Sequence, residues 1–283
     1  MVERRPWLTF VRHALLALGI AFICLPLWIT FVASTHTEAR IALSPAPLWI
    51  GDALIENYRA VLLQGLGGGA NAPPVWPMMV NSLIMAVVIA VGKIAVSILS
   101  AYAIVYFRFP FRTGFFWMIF ITLMLPVEVR IFPTFKVVAD LDMLNSYGGL
   151  TIPLIASATA TFLFRQFFLT VPDELTEASR IDGAGPLRFF WDVLVPLSRT
   201  SIAALFVIQF IYGWNQYLWP LIVGTEERYY TVVMGISRMV NAVDTSPQWN
   251  LVMATAMLAL IPPVIVVLVM QRLFVKGLVE AEK

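Results

Sequence analysis

Long apolar runs alternate with short polar segments along this chain, and the pattern predicts its architecture. A helix needs about 20 largely apolar residues to cross the hydrocarbon core of a membrane, because no water is available there to satisfy backbone groups. The pattern therefore predicts an all-α membrane protein with six transmembrane helices, at about residues 14–33, 80–102, 115–135, 147–168, 200–224 and 251–271. We expect residues 1–283 to form a single transmembrane domain.

Two of the apolar runs carry additional local signals. The first follows Arg4, Arg5 and Arg12, as in a signal peptide, but it is too long for one and lacks a small-residue cleavage site. We therefore expect an uncleaved first span. Pro262 and Pro263 stand in the middle of the sixth run, where they predict a kink. Because such prolines free backbone groups that neighbouring helices must cover, we expect this span to pack inside the bundle.

Composition supports a membrane protein and excludes several other classes. Hydrophobic residues make up 60% of the chain and charged residues only 13%, with a mean hydropathy of +0.83, whereas a soluble domain carries about 25% charge. A net charge of +2 gives no indication of a nucleic-acid partner. The single cysteine, Cys24, excludes an internal disulfide. His13 and His36 occur without an HExxH motif or a Cys/His cluster, so no metal site is predicted.

The distribution of Lys and Arg predicts the orientation in the membrane. If the N-terminus is inside, twelve of the 19 Lys and Arg residues fall in inner segments, six fall in outer segments, and Lys93 falls within a span. Cytoplasmic segments keep the positive excess in membrane proteins. We therefore expect both termini, and the polar segment 170–197, to be cytoplasmic.

Residues 170–197, which we call the cassette, interrupt the apolar pattern with the sequence TVPDELTEASRIDGAGPLRFFWDVLVPL. Pro172, Asp173 and Glu174 are typical of a first helical turn, where proline's missing N–H costs nothing and carboxylates favour the positive end of the helix dipole. The helix should run to about Asp182, and Gly183 suits the left-handed conformation that closes a helix. These signals predict a helix-turn-helix presented to a partner; the alternative is a solvated loop that only joins two spans.

The cassette resembles the signature loop of ABC importer permeases, written EAA, three residues, G, nine residues and I-x-L-P. Glu177, Ala178 and Gly183 match by position, and Val193 and Val195-Pro196 match the final part. The departures are Ser179 for the third small residue and valines for the Ile and the Leu. Further stretches, such as FIYGWNQYLWPLIV at 210–223, resemble the carbohydrate-uptake branch of maltose-permease-like proteins, and within it the second permease of sn-glycerol-3-phosphate importers.

This resemblance implies an ABC type I importer permease fold in which the cassette forms the coupling helix that docks on an ATP-binding subunit. It implies ATPase-coupling roles for Glu177, Ala178, Ser179, Asp182, Gly183, Ala184 and Pro196. The implied partners are a homologous but distinct permease that completes a heterodimer, two copies of an ABC ATPase, a periplasmic solute-binding protein and the lipid bilayer of a bacterial inner membrane. The implied cofactors, ATP and Mg, would be bound by the ATPase and not by this chain.

The residues themselves give no source of energy. The Gly92-Lys93 pair is not a Walker A loop, because Val87 stands where that loop needs Gly and Ile94 stands where it needs Ser or Thr. We therefore expect this chain not to be an enzyme and ATP to be hydrolysed by a partner. An intramembrane enzyme is disfavoured further, because no nucleophile stands beside a base.

Charges within spans indicate a candidate solute path. A charge at the membrane centre costs about 2.5–3.5 kcal/mol, so Lys93 and Arg130 should face a pore or a partner. Both suit the phosphate of a phosphorylated solute. The alternatives are snorkelling or an inter-subunit pair for Lys93, and for Arg130 an outer-edge ion pair with Glu128 or with the partner permease. In the fifth span, polar side chains could line the path or join helices by hydrogen bonds; these are Gln209, Asn215 and Gln216.

The leading hypothesis is a permease subunit of an ATP-driven importer for sn-glycerol-3-phosphate or glycerophosphodiesters. Within the same class, the alternative is a permease for a neutral sugar or oligosaccharide. A self-sufficient secondary transporter is the alternative from another class, although such folds usually show internal repeats and discontinuous spans.

Overall fold

The structure, a computed structural model, describes residues 6–43, 45, 47–65, 73–122, 127–241 and 246–280. At 6, 127–128 and 272–280 it describes the backbone alone. Arg4, Arg5 and Lys283 lie outside the described residues, as do residues 123–126 of the predicted third span. The side chains of Glu128, Arg272 and Lys276 are likewise not described.

The part of the chain that the structure describes consists of helices, turns and irregular connections, without a strand. The α-helices run in the order α1 (Pro6–Ser34), α2 (Glu38–Ile41), α3 (Leu54–Arg59), α4 (Val75–Tyr106), α5 (Arg112–Ile121), α6 (Val127–Asp140), α7 (Tyr147–Thr151), α8 (Ala158–Phe168), α9 (Asp173–Ile181), α10 (Pro186–Phe189), α11 (Val195–Leu197), α12 (Arg199–Trp214), α13 (Leu218–Val223), α14 (Val232–Val240) and α15 (Trp249–Glu280). Short π-helical turns cover Ala60–Gln64 and Phe190–Leu194, and 3-10 turns cover Ile152–Leu154 and Glu227–Tyr229.

The helices agree with the predicted membrane spans at most positions. Among the described residues, stretches of α1, α4 and α15 are long and apolar enough to cross a membrane, over Trp7–Ser34, Val75–Tyr106 and Trp249–Gln271. Two bent helix pairs, if each is one span, bring the total to five. α5 and α6 flank residues 123–126 inside the predicted third span. The architecture is therefore consistent with six spans.

The fourth predicted span, 147–168, is a helix pair bent by 46° between Leu154 and Ala158. Ser157 has an extended backbone and begins α8 by accepting a hydrogen bond from the N–H of Ala160 at 3.3 Å. A serine at this position satisfies one of the unpaired N–H groups of a helix start. The bend is thus a helix end followed by a newly capped helix.

The fifth predicted span is wrong as a continuous helix over 200–224. α12 ends at Trp214, and α13 begins only at Leu218. Pro220 supplies the physical reason, because a proline lacks an N–H and its ring would clash with the carbonyl of Gln216 if the helix continued. A second bend of 72° separates α12 from the helical segment Pro186–Leu197 that precedes it.

The sixth span is one uninterrupted helix, α15, with Pro262 and Pro263 inside it. Its first half is buried, as shown by Ala254 and Thr255, which are fully enclosed. Beyond the prolines, most of the side chains of residues 264–271 are exposed, and Val269 has 74% of its surface accessible. Residues 264–271 are therefore largely uncovered by this chain and suit lipid or another subunit, and the expectation that the sixth span packs inside the bundle stays a prediction.

The chain forms two compact units, one of residues 1–76 with 235–261 and one of residues 77–234 with 262–283. In the first unit, buried Asn57 donates hydrogen bonds to the carbonyls of Ser34 and His36 at 2.9 and 2.8 Å. Asn250 donates to Oδ1 of Asn57 at 3.1 Å, which joins α15 to α3. The prediction of a single domain over residues 1–283 stays a prediction.

Two apolar clusters form the core of the second unit, and they occupy different stretches of α4. The first joins α4 to α7, α13 and α6 through Met85, Ile89, Ile131, Leu150, Trp219 and Val223. The second joins α4 to α8, α12 and the cassette through Ile94, Tyr102, Phe164, Phe168, Phe189, Phe190, Leu194 and Leu205. Lys93 lies on α4 where the first cluster gives way to the second.

Candidate functional site

Lys93 is buried in the second unit, with only 6% of its surface accessible. Its Nζ donates a hydrogen bond to Oε1 of Gln209 at 3.1 Å and lies 3.6 Å from the centre of the Tyr212 ring. Both partners come from α12, three residues apart, so they share one helix face. α12 therefore surrounds the ammonium group with an amide oxygen and an aromatic face.

These two contacts explain how a cation can sit at this depth. A desolvated cation–π contact contributes about 2 kcal/mol, and a hydrogen bond to a charged group about 1.5–3 kcal/mol. Their sum is of the same order as the insertion cost of about 2.5–3.5 kcal/mol for a charge at the membrane centre. Lys93 can thus keep its charge without a carboxylate partner.

A close approach of α4 and α12 makes this geometry possible. A Cβ added to Gly213 would lie 2.8 Å from Cα of Ala86, so only glycine allows the two backbones to come this near. Ala86 precedes Lys93 by two turns of α4, and Gly213 follows Gln209 by about one turn of α12. The backbone contact and the polar contact therefore lie on the same two facing helix surfaces.

A cavity of about 140 Å³ opens beside Lys93 within the second unit. Two cations, Lys93 and Arg130, lie on its wall together with the amide of Gln216 and the ring of Tyr212. The remaining wall is mostly apolar and includes Ile131, Thr134, Pro153, Leu154, Ala156, Leu218 and Trp219. A concave, mostly apolar site with a few convergent polar groups is the usual form of a small-molecule site.

The cations of this cavity are not engaged by carboxylates that the structure describes. Ion pairs among the described side chains join Lys136 to Asp140, Arg188 to Asp192 and Arg228 to Glu226. Neither Lys93 nor Arg130 takes part in these pairs. The alternative pairing of Arg130 with Glu128 concerns a side chain outside the described set. On the described side chains, the cavity thus presents positive charge to an anionic ligand.

The structure brings together four of the five residues predicted for the solute path. Lys93, Arg130 and Gln216 line the cavity. Gln209 does not line it but accepts a hydrogen bond from Lys93. Asn215 is the exception, because it is the exposed C-cap of α12 and does not line the cavity. The participation of these residues in a solute path stays a prediction.

Sequence reasoning missed Tyr212, which contacts Lys93 and lines the cavity. Tyr212 lies three residues after Gln209 on α12, a spacing that puts these two side chains on one helical face. Its carbonyl accepts a hydrogen bond from Nε2 of Gln216 at 3.1 Å. The spacing of Gln209 and Tyr212 was the available sequence signal. It is not distinctive, because the stretch is rich in aromatic residues.

The structure confirms the local conformation predicted for the cassette. α9 covers Asp173–Ile181 and begins after Pro172. Gly183 has φ of +75°, and the N–H groups of Gly183 and Ala184 bond to the carbonyls of Arg180 and Ser179 at 3.0 and 2.9 Å. This pair of bonds is the Schellman arrangement that closes many helices with a left-handed glycine.

The second half of the cassette is anchored to α4. The hydroxyl of Tyr102 donates to the carbonyl of Pro186 at 2.8 Å, and the Tyr102 ring lies 5.0 Å from that of Phe190. Phe189 and Leu194 are buried in the same cluster, while Pro196 is half-buried in α11. The cassette is therefore an ordered part of the second unit with its own core contacts.

The outer face of the cassette combines acidic and apolar groups. Glu177, Ala178, Asp182 and Gly183 are exposed, and Ala184 is half-buried. Three large apolar side chains protrude beside them, Ile181 at 85%, Leu187 at 73% and Trp191 at 63% exposure. Ser179 lies on the inner face, where its Oγ is buried and has no hydrogen-bond partner among the residues that the structure describes. Of the two small residues, only Ala178 is presented outward.

Comparisons with known proteins agree on one class. Residues 93–280 match the family described as "Binding-protein-dependent transport system inner membrane component". The sn-glycerol-3-phosphate transport system permease protein UgpE of Escherichia coli K12 is 59% identical over 283 residues, covering 100% of both chains. The protein of the same name from Salmonella typhi is 60% identical, also over 100% of both chains.

A solved structure supports the fold. A chain from the crystal structure of a bacterial ABC transporter involved in the import of the acidic polysaccharide alginate matches with a TM-score of 0.79. The match covers 96% of this chain and 98% of that chain at 21% identity, so the likeness concerns the fold alone. The family match covers well over half of the sequence, and the chain therefore belongs to the family of inner membrane components of binding-protein-dependent transport systems.

Proposed function

We propose that this chain is the transmembrane permease subunit of an ATP-driven importer that moves sn-glycerol-3-phosphate, or glycerophosphodiesters, into the cytoplasm. The observation that carries this proposal is the identity of 59–60% over the full length of the sn-glycerol-3-phosphate permeases. Similarity of this extent covers the cavity and the cassette alike.

The chemistry of the cavity supports a phosphorylated solute. Arg130 offers a planar guanidinium that can bind phosphate with two hydrogen bonds, and Lys93 adds a point charge. Gln216 can donate to or accept from a hydroxyl of the solute. The apolar wall would shield these contacts from water, which strengthens each of them. A neutral sugar would leave both cations without an anionic partner.

The energy for uphill transport comes, in this proposal, from a partner. ATP and Mg are bound and hydrolysed by two copies of an ABC ATPase, a distinct permease completes the pore, and a periplasmic binding protein delivers the solute. The excess of Lys and Arg on one side supports cytoplasmic termini and a cytoplasmic cassette. The ATPase therefore reaches the cassette directly.

The cassette surface has the composition expected of a docking element. Ile181, Leu187 and Trp191 are large apolar side chains exposed in a segment that lies between spans. Interfaces draw their affinity from such buried apolar and aromatic anchors, with charges such as Glu177 at the rim. Docking of the ATPase over this face would cover them.

The contacts within the second unit suggest how a conformational change in the two ATPase copies is transmitted to the solute path. The cassette is joined to α4 by the Tyr102–Pro186 hydrogen bond and by the aromatic cluster around it. α4 also carries Lys93 to the cavity wall. A displacement of the cassette would move α4 as a rigid element and so open or close the cavity to one side.

Solute uptake tests the proposal. Cells that lack any other importer for sn-glycerol-3-phosphate would produce this chain with its second permease, ATPase and binding protein. We expect uptake of radiolabelled sn-glycerol-3-phosphate, and a decrease of about tenfold or more when Lys93→Gln and Arg130→Gln are combined, because charge-assisted hydrogen bonds contribute about 1.5–3 kcal/mol.

The matched control is Lys136→Gln. Lys136 lies on α6 like Arg130, but it is exposed and paired with Asp140 at 2.9 Å, so uptake should stay unchanged. Uptake of a neutral sugar in place of the phosphate ester would contradict the proposed solute. Gradient-driven flux through the chain reconstituted alone would contradict the class and favour a secondary transporter.

A further inference from the structure

Three helix ends of the second unit meet away from both the solute cavity and the outer cassette face. α4 ends at Tyr106, α5 begins at Arg112 and α8 ends at Phe168. A cavity of about 100 Å³ lies between them, with Arg112, Thr113, Phe116, Arg165 and Leu169 among its lining residues. The predicted spans end at about residue 102, begin again at about 115 and end at about 168, so a cavity lined by Ile104, Arg112 and Leu169 lies at the predicted border between hydrocarbon and water.

Arg165 contributes a guanidinium that the described chain leaves partly unsatisfied. Its Cζ lies 4.1 Å from the centre of the Phe116 ring, which fixes one face of the group. Its Nε is buried and has no hydrogen-bond partner among the described residues. Buried donors in native proteins are nearly always bonded, so this one calls for an acceptor at that place, such as a water, an ion or a ligand oxygen.

Arg112 and Thr113 supply further groups for an anion. They form the first turn of α5, a ten-residue helix whose N-cap, Phe111, offers no side-chain hydrogen bond. The N–H groups of a first turn have no intrahelical acceptor, and the helix dipole adds positive charge there. Two arginines, a threonine and the first turn of α5 thus line one cavity, and no described carboxylate is among its lining residues.

The surface next to this cavity is apolar and exposed. On α5, Phe115, Trp117 and Met118 have 48%, 53% and 57% of their surfaces accessible. On α8 and just beyond it, Leu163 and Leu169 have 44% and 54% accessible. In a protein of the inner membrane, such a surface suits acyl chains. A polar, cationic end joined to an apolar flank has the form that a phospholipid requires.

We propose that this cavity binds the phosphate of an anionic phospholipid, with the acyl chains lying along α5 and α8. The predicted orientation places the site in the cytoplasmic leaflet, where basic pockets between helices hold such head groups. A free phosphate ion offers the same oxygens to the two arginines. A free phosphate ion would make no contact with the exposed apolar surface of α5 and α8. We therefore assign the phosphate to a lipid head group.

Lipid binding to the assembled transporter tests the assignment. The complete complex, purified in detergent, would be titrated with phosphatidylglycerol or phosphatidylcholine, and bound lipid would be counted by native mass spectrometry. We expect tighter retention of phosphatidylglycerol by the unmodified complex, and at least a tenfold loss of that preference when Arg112→Gln and Arg165→Gln are combined. Arg165→Lys, which keeps the charge, should retain most of it.

The matched control is Arg188→Gln, because Arg188 is exposed on α10 and already paired with Asp192 at 3.2 Å. It should bind lipid as the unmodified complex does. If the double variant does not assemble, Arg112→Gln alone gives the comparison, since that side chain is exposed. The proposal is overturned if the double variant keeps the full preference, or if Arg112→Gln keeps it where the double variant does not assemble.

Inorganic phosphate distinguishes the two sources of the same chemistry. Added at a concentration equal to that of the lipid, it should leave bound phosphatidylglycerol in place, because the free ion lacks the apolar contacts. Displacement of the lipid at this concentration would overturn the assignment to phospholipid and indicate a site for the free ion. The measurement reads lipid binding, so its outcome is independent of which solute the transporter carries.

Discussion

The ammonium group of Lys93 on α4 donates a hydrogen bond to Oε1 of Gln209 on α12, with 3.1 Å between the two atoms. Both residues are buried, at 6% and 5% exposure, and no described carboxylate pairs with the cation. The contact links α4, which carries the cation of the cavity, to α12, which carries Tyr212 on the cavity wall. Loss of this hydrogen bond should therefore change both the stability of the protein and the shape of the cavity.

Replacing Gln209 with Leu should destabilise the complex. The change removes the acceptor of a buried cation while leaving the Tyr212 ring in place, and an unsatisfied buried group costs about 1–3 kcal/mol, or more when charged. Thermal unfolding of the purified complex measures the loss. Gln209→Glu restores an acceptor and should unfold at a higher temperature than Gln209→Leu. Equal stability of Gln209→Leu and the unmodified chain would contradict a structural role for the hydrogen bond.

Gly183→Ala should loosen the turn that ends α9. The φ of +75° is costly for any residue with a Cβ, by about 1–2 kcal/mol, and no atom within 4 Å of the added Cβ would add a clash. We expect faster proteolysis of the cassette in the purified complex and weaker retention of a tagged ATPase.

Gly185→Ala is the matched control for that change. Gly185 also has open space around a Cβ, but its φ is −72°, which alanine adopts without strain. Proteolysis and ATPase retention should both stay as in the unmodified chain. Identical behaviour of the two alanine variants would show that the left-handed conformation of Gly183 contributes nothing.

Gly213→Ala and Gly19→Ala should change stability in opposite directions. The Cβ at Gly213 would lie 2.8 Å from Cα of Ala86, so α12 would have to move away from α4, whereas nothing lies within 4 Å at Gly19. Alanine in an open helix position stabilises by about 0.5–1 kcal/mol relative to glycine. Thermal unfolding of both variants checks the sign. An increase in stability for Gly213→Ala would mean that the two helices are not in close contact.

Asn81→Leu should release the segment that follows α13. The buried amide of Asn81 donates to the carbonyls of Arg228 and Tyr230 at 2.8 and 2.9 Å, and its Oδ1 accepts from the hydroxyl of Tyr147 at 2.7 Å. Removing it breaks three hydrogen bonds, which should cost about 2 kcal/mol or more.

Hydrogen exchange of residues 226–231 in the purified complex measures this release. We expect faster exchange in Asn81→Leu and a smaller increase in Tyr147→Phe, which removes one of the three hydrogen bonds. Exchange at the unmodified rate in Asn81→Leu would show that contacts other than this amide hold the segment.

Ile181→Asp should weaken binding of the ATPase without destabilising the chain. Ile181 is 85% exposed, so a charge there meets only water in the free permease but would be buried under a docked partner. Co-purification with a tagged ATPase should fall, as it should for Glu177→Lys. Leu141→Asp, at a site outside the cassette with 63% exposure, is the control and should co-purify normally. Equal loss in both aspartate variants would contradict docking on the cassette.

Two parts of the molecule could be predicted from the sequence because local chemistry decides them. A run of about 20 apolar residues must form a helix in lipid whatever surrounds it, and α1, α4 and α15 follow from that rule. The end of α9 depends on Gly183 and on backbone bonds within six residues. Such features need no knowledge of distant contacts.

Other features could not be predicted, because apolar periodicity does not distinguish lipid from protein as a neighbour. The run over 200–224 is apolar on both sides of Pro220, so composition concealed the break between α12 and α13. Ser179 and Ala178 are equally small, and only the fold decides that Ser179 faces inward. Asn215 is as polar as Gln216, yet its place at the end of α12 keeps it off the cavity wall.

The sequence by itself determined which segments can span a membrane and where the polar cassette interrupts them. It also determined that Lys93 and Arg130 are charged residues within predicted spans. Each of these features depends on the free energy of transferring residues from water to hydrocarbon. That free energy can be estimated from the local sequence alone. Only the tertiary structure decided that the two cations share one cavity and that Gln209 and Tyr212 hold Lys93. The contacts of Lys93 with Gln209 and Tyr212 join residues more than 100 positions apart in the sequence. They form because α4 packs closely against α12 at Gly213.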